Sequence, residues 1–371
     1  MTPTNEQLLH YHKRLASLDF MRGFIMVLLA LESTGLYNLL YNHTKDSNWG
    51  LFFEQFHHHP WNGLRLWDLI QPGFMFIAGT AMAYSVTSMK EKAIPRAGIT
   101  VKILKRCGWL FFWGVLNYAV RKTGLSFELW NVLTQLSFTI LVAYLIFEWK
   151  VIHQILAAIF LLVLTECLYR FSNVQGFDQP FTDQENIGNY IDMLLMNKIN
   201  KGGWVAINCI PTSVHTIAGA LAGKLLLSNS KNKTKSIVYW GLSTLIIGLV
   251  LDFTDITPII KRIATSSFTL ASLGWCLLGL AACYYCIDVK GWKRNLFFFQ
   301  VVGMNSIFIY LFFEIVGDRW LNDYVGAITN GLMEKIHLDS FVQSLITCLV
   351  IFMLEWSICL FLYRKKIFFK L

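Results

Sequence analysis

The sequence predicts an all-α, polytopic membrane protein built as a single bundle of about 10 transmembrane helices. Hydrophobic residues make up 55% of the 371 positions, charged residues only 15%, and the mean hydropathy is +0.48. Soluble domains carry about 25% charged residues. Apolar runs that could cross a bilayer recur from one end of the chain to the other, so a soluble globular protein and a disordered chain are both excluded.

Each apolar segment is long enough to cross a hydrocarbon core of about 30 Å at about 1.5 Å per residue. The segments are continuously apolar, with Trp and Tyr near their ends, and they lack the alternating pattern of a membrane β-barrel. The predicted spans, in order, are 20–41, 64–88, 99–119, 129–149, 151–170, 205–227, 236–253, 266–287, 296–316 and 341–363. No repeat or low-complexity tract separates them, so residues 1–371 are expected to form one domain.

The distribution of basic residues predicts that both termini are cytoplasmic. With that orientation, 21 of the 32 Lys and Arg residues lie on the inner side, as positive-inside bias requires. Residues 1–19 then form a cytoplasmic segment and 364–371 a cytoplasmic tail. No small-residue cleavage site follows the first span, so we expect it to be retained. The net charge of +9 is explained by these short loops, and no nucleic-acid partner is expected.

Three segments on the predicted outer side are long enough to carry function. The first is 42–63. The second is the extracytoplasmic loop 171–203, which is polar at first and amphipathic over 186–200. The third, 318–337, has the pattern of a helix lying on the membrane surface. Together they could build an extracytoplasmic mouth.

The histidine triplet His57-His58-His59 is the most conspicuous polar cluster. Adjacent residues on an extended chain point in opposite directions, and helical metal ligands need a spacing of about 3 or 4, so no metal is expected. A solvated interfacial tract is the alternative interpretation. The presence of Asp68 and Gln71 favours a functional site over that alternative, because polar groups in the first turns of an apolar span are costly unless they are used.

The residues around this triplet carry a resemblance to a known family. Phe56-x-His58-x-x-Trp61-Asn62-Gly63-Leu64, followed by Asp68-Leu-Ile-x-Pro-x-Phe-x-Phe-Ile-x-Gly79, resembles the membrane heparan-α-glucosaminide N-acetyltransferase family. Further blocks agree in order along nearly the whole chain: Arg14-x-x-Ser-x-Asp19 with Arg22-Gly23, Asn131-Val-Leu-Thr-Gln135 (the family's V-L-x-Q block), Pro258 with Lys261, Ser266-Ser-Phe268, Asp288-Val-Lys-Gly291, Gly303-Met-Asn-Ser306 and 362–368.

The resemblance implies transfer of an acetyl group from cytosolic acetyl-CoA to an amino sugar across the membrane. It places the family's catalytic histidine on His58. Two departures bear on the acceptor: we expect the protein to lack the family's long luminal N-terminal region, and Ser33, preceded by Glu32, occupies the position of the family's first-helix asparagine. A histidine suits a general base near neutral pH, or could itself accept the acetyl group, and the sequence leaves both routes open.

Asp68 is expected to orient His58, provided that residues 58–63 fold back as a re-entrant loop. Ten residues of straight helix would instead separate the two by about 15 Å, and Asp68 would then only favour a helix N-terminus. The remaining candidates are less specific. For the acceptor they are Glu32, Ser33, Trp61, Asn62, Gln71, Lys261, Asn305 and Ser306; for the CoA phosphates they are Lys102, Arg106, Lys290 and Arg294.

Each of these candidates has a structural alternative. Glu32, placed near mid-membrane in a straight first span, could pair with a buried cation. Asn305 and Ser306 could serve helix packing, Lys261 could extend its ammonium to the interface, and the inner basic residues could reflect positive-inside bias alone.

The favoured function is therefore a membrane acetyltransferase that uses acetyl-CoA. The alternatives are an O-acetyltransferase of an envelope glycan and a secondary transporter with Glu32 and Asp68 as coupling groups; the transporter is disfavoured because no repeat or paired broken helices are seen. The expected partners are the lipid bilayer, acetyl-CoA and an amino sugar or glycan acceptor, with a homodimer left open. We expect a multi-pass protein of the bacterial cytoplasmic (inner) membrane.

Overall fold

The computed structural model describes residues 15–121, 124–294, 296–334 and 337–369, and most of these are helical. The α-helices of this part of the chain are α1 Ala16–Ser33, α2 Leu36–Thr44, α3 Asn48–Glu54, α4 Ile70–Glu91, α5 Arg96–Ala119, α6 Val132–Leu145, α7 Val151–Phe171, α8 Ile187–Met196, α9 Cys209–Leu227, α10 Lys233–Phe253, α11 Ser266–Cys283, α12 Leu296–Gly303, α13 Ser306–Phe312, α14 Asn322–Glu334 and α15 Ser340–Arg364.

Short elements of other kinds connect these helices. A single turn of 3₁₀-helix, Leu66–Leu69, leads into α4, another at Ala206–Asn208 leads into α9, and π-helical segments cover Tyr284–Val289 and Phe313–Leu321. A two-stranded antiparallel hairpin, β1 Val120–Arg121 with β2 Gly124–Leu125, follows α5. The hairpin is a small addition to the predicted all-α architecture.

Among the described residues, six helical segments are long and apolar enough to cross a membrane, and up to eight if each of two bent helix pairs is one span. The six are Leu66–Glu91, α7, Ala206–Leu227, α10, Ser266–Val289 and α15. The prediction of a helical, multi-pass architecture is confirmed. Helices α5 and α6 lie where the third and fourth spans are predicted but are not among these segments, so the count of about 10 and the orientation stay predictions.

Two of the predicted spans, 20–41 and 296–316, are broken helices, which corrects the expectation that no paired broken helices occur. In the first of these spans the break follows α1. α1 ends at Ser33 and the chain turns by 68° into α2. Gly35 permits this turn with a φ of +80°, and the hydroxyls of Ser33 and Thr34 donate to carbonyls of the last turn of α1. The predicted mid-membrane position of Glu32 assumes a straight helix, and the residue lies in the last turn of α1 before the bend, so its depth in the membrane stays a prediction.

Helices α4 and α9 form a tightly packed pair at the centre of the bundle. A Cβ atom at Gly79 would lie 2.0 Å from the carbonyl oxygen of Thr216, and one at Gly219 would lie 2.0 Å from that of Phe76. Small residues at such crossings let two helix backbones approach closely in a membrane. This contact matters for function because α4 directly follows the turn that carries Asp68.

We expect Gly219→Ala to lower the thermal stability of the protein. Alanine favours helix formation by about 1 kcal/mol over glycine. Overpacking costs about 1–3 kcal/mol, and here it prevails because the obstructing atom is a backbone oxygen that cannot rotate away. The unfolding midpoint in detergent is the measurement. Gly331→Ala on α14 is the matched control, since its Cβ meets nothing within 4 Å; an equal loss there would contradict this explanation.

Candidate active site

Residues 58–63 fold back toward the start of the second predicted span. Asn62 forms an isolated antiparallel bridge with Ile260, and the amide N–H of Gly63 donates to the carbonyl of Ile259 at 2.8 Å. Gly63 has a φ of +149°, and a Cβ there would lie 2.6 Å from Nε2 of His59. Glycine is therefore required at this position, and the pairing ties the histidine loop to the segment before α11.

This turn brings His58 and Asp68 together. Nδ1 of His58 lies 3.0 Å from Oδ1 of Asp68, whose side chain is fully buried. The other carboxylate oxygen accepts the amide N–H groups of His59 at 3.2 Å and Arg65 at 2.9 Å. The Arg65 guanidinium also donates to the carbonyl of His58 at 3.1 Å and pairs with Glu54. The geometric condition for Asp68 to orient His58 is met, and its role in catalysis stays a prediction.

Lys261 is the third member of this cluster. Its side chain is 6% exposed, and Nζ lies 3.0 Å from Nδ1 of His58 and 3.5 Å from Oδ1 of Asp68. The ammonium also lies over the ring of Trp204, 5.2 Å from its centroid. Burial lowers the pKa of Lys261 to about 8, with the Asp68 carboxylate opposing this shift and Arg262 adding to it. The sequence alternative of a lysine extended to the interface does not describe this residue.

The ring of His58 keeps one edge open to its surroundings. Its side chain is 39% exposed, and the ring stands edge-on to Trp204 at a centroid distance of 5.5 Å. Partial burial and the Lys261 ammonium lower the pKa of His58, although the Asp68 carboxylate acts in the opposite direction. A neutral imidazole held through Nδ1, with Nε2 free, can accept a proton from an incoming nucleophile.

The neighbouring histidines face elsewhere. Nε2 of His57 lies 2.8 Å from Oδ1 of Asn38 on α2, and Nδ1 of His59 is buried without a hydrogen-bond partner in the described structure. The described ranges contain no group of three or more His, Cys, Asp or Glu residues placed to hold a metal ion. The three adjacent histidines thus have three different environments, and His58 is the one that meets Asp68.

The loop predicted over 171–203 forms a wall beside His58. Its amphipathic part is α8, and the indole N–H of Trp61 donates to the carbonyl of Phe181 at 2.7 Å. On α8, buried Asp192 accepts from the Trp130 indole at 2.7 Å and from the amide of Ala206 at 2.9 Å, which positions the segment that carries Trp204. Burial raises the pKa of Asp192 to about 6.

Sequence reasoning missed Trp204 as a site residue. A tryptophan at the end of an apolar span is common at membrane interfaces, so its position gave no separate signal. Only the tertiary structure shows that it contacts both His58 and Lys261.

A cleft further along α4 contains two cationic side chains. The space in the cleft together with the solvent at its open mouth is about 590 Å³, and its polar groups come from Arg22, Arg106, Ser306 and Tyr310. Its apolar lining includes Phe74, Ile77 and Ala78 of α4 and Val132, Leu133 and Leu136 near the start of α6. The Gln71 amide, which donates to Gln135, lies on α4 between Asp68 and this lining. One helix therefore links the histidine cluster to the cleft.

The other predicted site residues lie outside these two places. Lys102, Lys290 and Arg294 are exposed and do not line the cleft. The fully buried Asn305 uses its amide to bind the C-terminal segment, donating to Ile367 and accepting from Phe369. The Ser33 hydroxyl bonds to Ala30 within its own helix. The structure thus brings together Trp61, Asn62, Lys261, His58 and Asp68, and separately Arg106 and Ser306.

Comparison with known proteins supports the family resemblance. The chain is 25% identical to a mouse protein and 24% identical to a human protein, each named heparan-alpha-glucosaminide N-acetyltransferase. Each alignment covers 96% of this chain and 60% of the relative, so the chain spans less than two thirds of their length. No family model matches the chain. The similarity to this family that the motifs predicted is confirmed over nearly the whole chain.

Proposed function

We propose that the protein is a transmembrane acetyltransferase that moves an acetyl group from cytosolic acetyl-CoA to an amino sugar on the other side of the membrane. The observation that carries this proposal is the half-exposed His58 ring held at 3.0 Å by the buried carboxylate of Asp68. The similarity to the two N-acetyltransferases supports the reaction class. In a bacterial cell the expected location is the cytoplasmic membrane.

His58 is assigned the role of general base. A thioester is already activated, so the protein must chiefly remove a proton from the attacking amine and stabilise the developing oxyanion. Asp68 holds Nδ1–H, which leaves the lone pair on Nε2 at the exposed edge of the ring. An acetyl group carried by His58 itself is the alternative route, and it would give ping-pong kinetics.

The cleft is assigned to acetyl-CoA, the acetyl donor. Arg106 provides positive charge for the CoA phosphates, Arg22 beside it is also paired with Asp19 at 3.6 Å, and the apolar lining suits the thin pantetheine arm. From Asp68 to Ala78 the chain rises by about 15 Å as helix. An extended arm that enters at the cleft can bridge this distance toward His58.

The acceptor is assigned to the opposite side of His58. Trp61 and Trp204 present aromatic surface beside the histidine, and the backbone of Gly202 in the same wall is held by Arg262 at 2.5 Å. Tryptophan rings offer large apolar faces with a polar edge, which suits contact with a sugar. Asn62, with an exposed side chain, lies in the same loop.

Sealed vesicles with the protein in one orientation test this proposal. Acetyl-CoA is expected to support transfer only from the side of the cleft, and an impermeant amino sugar only from the side of Trp204, because in the proposed mechanism the two substrates enter from opposite faces of the membrane. Release of CoA and mass spectrometry of the product are the measurements, and the product should be an amide. Activity with both substrates on one side alone would overturn the transmembrane mechanism, and an ester product would favour the O-acetyltransferase alternative.

A further inference from the structure

Nδ1 of His58 has two neighbours that make opposite demands on it. Asp68 lies at 3.0 Å, and an ionised carboxylate only accepts hydrogen bonds, so it requires a proton on Nδ1. Lys261 also lies at 3.0 Å, and an ammonium group only donates, so it requires a lone pair on Nδ1. A neutral imidazole cannot meet both demands at once.

We propose that Lys261 is a positioning residue that selects the tautomer of His58 and stores the proton that His58 removes. When Lys261 is neutral, Nδ1–H bonds to Asp68 and Nε2 is free to act as a base. When Lys261 is charged, it donates to Nδ1, and Nε2 carries the proton instead. This inference rests on the proposed function for its place in the reaction.

The proton balance of the reaction fits this exchange. As the amine nitrogen bonds to the acetyl carbon, Nε2 takes the amine proton and Nδ1 passes its own proton to the neutral amine of Lys261. The C–S bond then breaks with its electron pair leaving on the CoA thiolate. Lys261 returns its proton to Nδ1, and Nε2–H protonates the thiolate. The protein ends in its starting state, and no imidazolium forms beside a charged lysine.

The surroundings of Lys261 make its neutral amine accessible near physiological pH, where the ammonium is still the major form because the pKa is about 8. The titratable and charged groups that face it are His58 from the histidine loop, Asp68 from the 3₁₀ turn and Arg262 from its own segment. Arg65 adds positive charge at the carbonyl of His58, but it is paired with Glu54. Burial together with Arg262 outweighs the attraction of Asp68, which brings the pKa of Lys261 to about 8.

Nitrogen NMR of the resting protein tests the exchange without any activity. With ¹⁵N-labelled histidine and a His58→Gln difference spectrum for assignment, wild-type His58 is expected to change from the Nε2–H to the Nδ1–H form as the pH rises through about 8. Lys261→Met should hold the Nδ1–H form throughout. Lys261→Arg should hold the Nε2–H form, because a guanidinium stays charged at every pH up to about 12. If wild type, Lys261→Met and Lys261→Arg all showed the same tautomer of His58 at every pH, the proposal would be overturned, whether or not acetyl transfer is observed.

The pH dependence of transfer gives a second readout. In Lys261→Met the rise of kcat/KM with pH should begin at lower pH than in wild type, and the maximal rate should fall roughly 10- to 100-fold because the proton store is lost. Lys261→Arg should be slower still. If Lys261→Arg were more active than Lys261→Met, and both variants kept the wild-type unfolding midpoint, the positive charge of Lys261 would have only a structural role. That result would contradict the proposal.

Lys198 offers a matched control for these variants. Its ammonium lies 3.1 Å from Glu128 and 5.6 Å from the ring centroid of Trp130, an arrangement like that of Lys261 with Asp68 and Trp204, but it makes no hydrogen bond to a histidine in the described structure. Lys198→Met and Lys198→Arg should leave both the tautomer of His58 and the pH profile unchanged. If the Lys198 variants changed the His58 tautomer or the pH profile as much as the Lys261 variants do, the effect would arise from general electrostatics, and the proposal would be contradicted.

Discussion

Replacement of His58 by alanine is expected to abolish acetyl transfer while leaving CoA binding and folding nearly intact. General-base catalysis contributes about 10²- to 10⁴-fold to a rate, and no other described side chain at this position combines a free imidazole edge with a carboxylate partner. Initial rates of CoA release, with CoA affinity measured separately, are the test. Because the His58 side chain is 39% exposed, its truncation opens no cavity in the core.

The two adjacent histidines provide the controls for this experiment. His57 bonds to Asn38 on α2 and His59 packs against Gly63, so neither presents a ring nitrogen to Asp68. His57→Ala and His59→Ala should retain most of the activity, with losses in stability at most. Equal loss of activity in all three variants would point to a collective surface or metal role and against a single base.

Removal of the Arg106 charge is expected to weaken CoA binding strongly. Arg106 lines the cleft and has no ion pair or hydrogen-bond partner among the described residues, so its guanidinium is available to a phosphate. A hydrogen bond to a charged group contributes about 1.5–3 kcal/mol, and the dissociation constant of CoA for Arg106→Gln should therefore rise about 10- to 150-fold. Calorimetric titration of the purified protein measures this without requiring turnover.

Lys102 is the matched control, since it lies one helical turn before Arg106 on α5 but is exposed and outside the cleft. Exposed charges interact weakly, so Lys102→Gln should change the affinity by less than about fivefold, and added salt should remove most of that change. Equal losses from the two variants would mean that CoA responds to the overall positive charge of this face. The donor would then not be bound in the cleft.

The membrane architecture was predictable because it depends on local composition. A segment in lipid must satisfy its own backbone hydrogen bonds, so long apolar runs become helices wherever they occur in the chain. The bends within the predicted spans were harder to predict from the sequence. Gly35 and the hydroxyls of Ser33 and Thr34 turn the chain by 68° inside a run that remains apolar on average, and a composition window does not register such a turn.

The site divides in a similar way. The sequence by itself determined the helical membrane class, the similarity to a family of N-acetyltransferases, and His58 and Asp68 as candidates. Only the tertiary structure decided that the two side chains meet, because the turn depends on Gly63 pairing with Ile259 in a distant segment. The same pairing brings in Lys261, 203 positions after His58, and places Trp204 against both. Hydropathy and spacing predict which segments lie in lipid. Buried polar groups, however, need hydrogen-bonding or charged partners on other segments, and these partners are determined only when the helices pack.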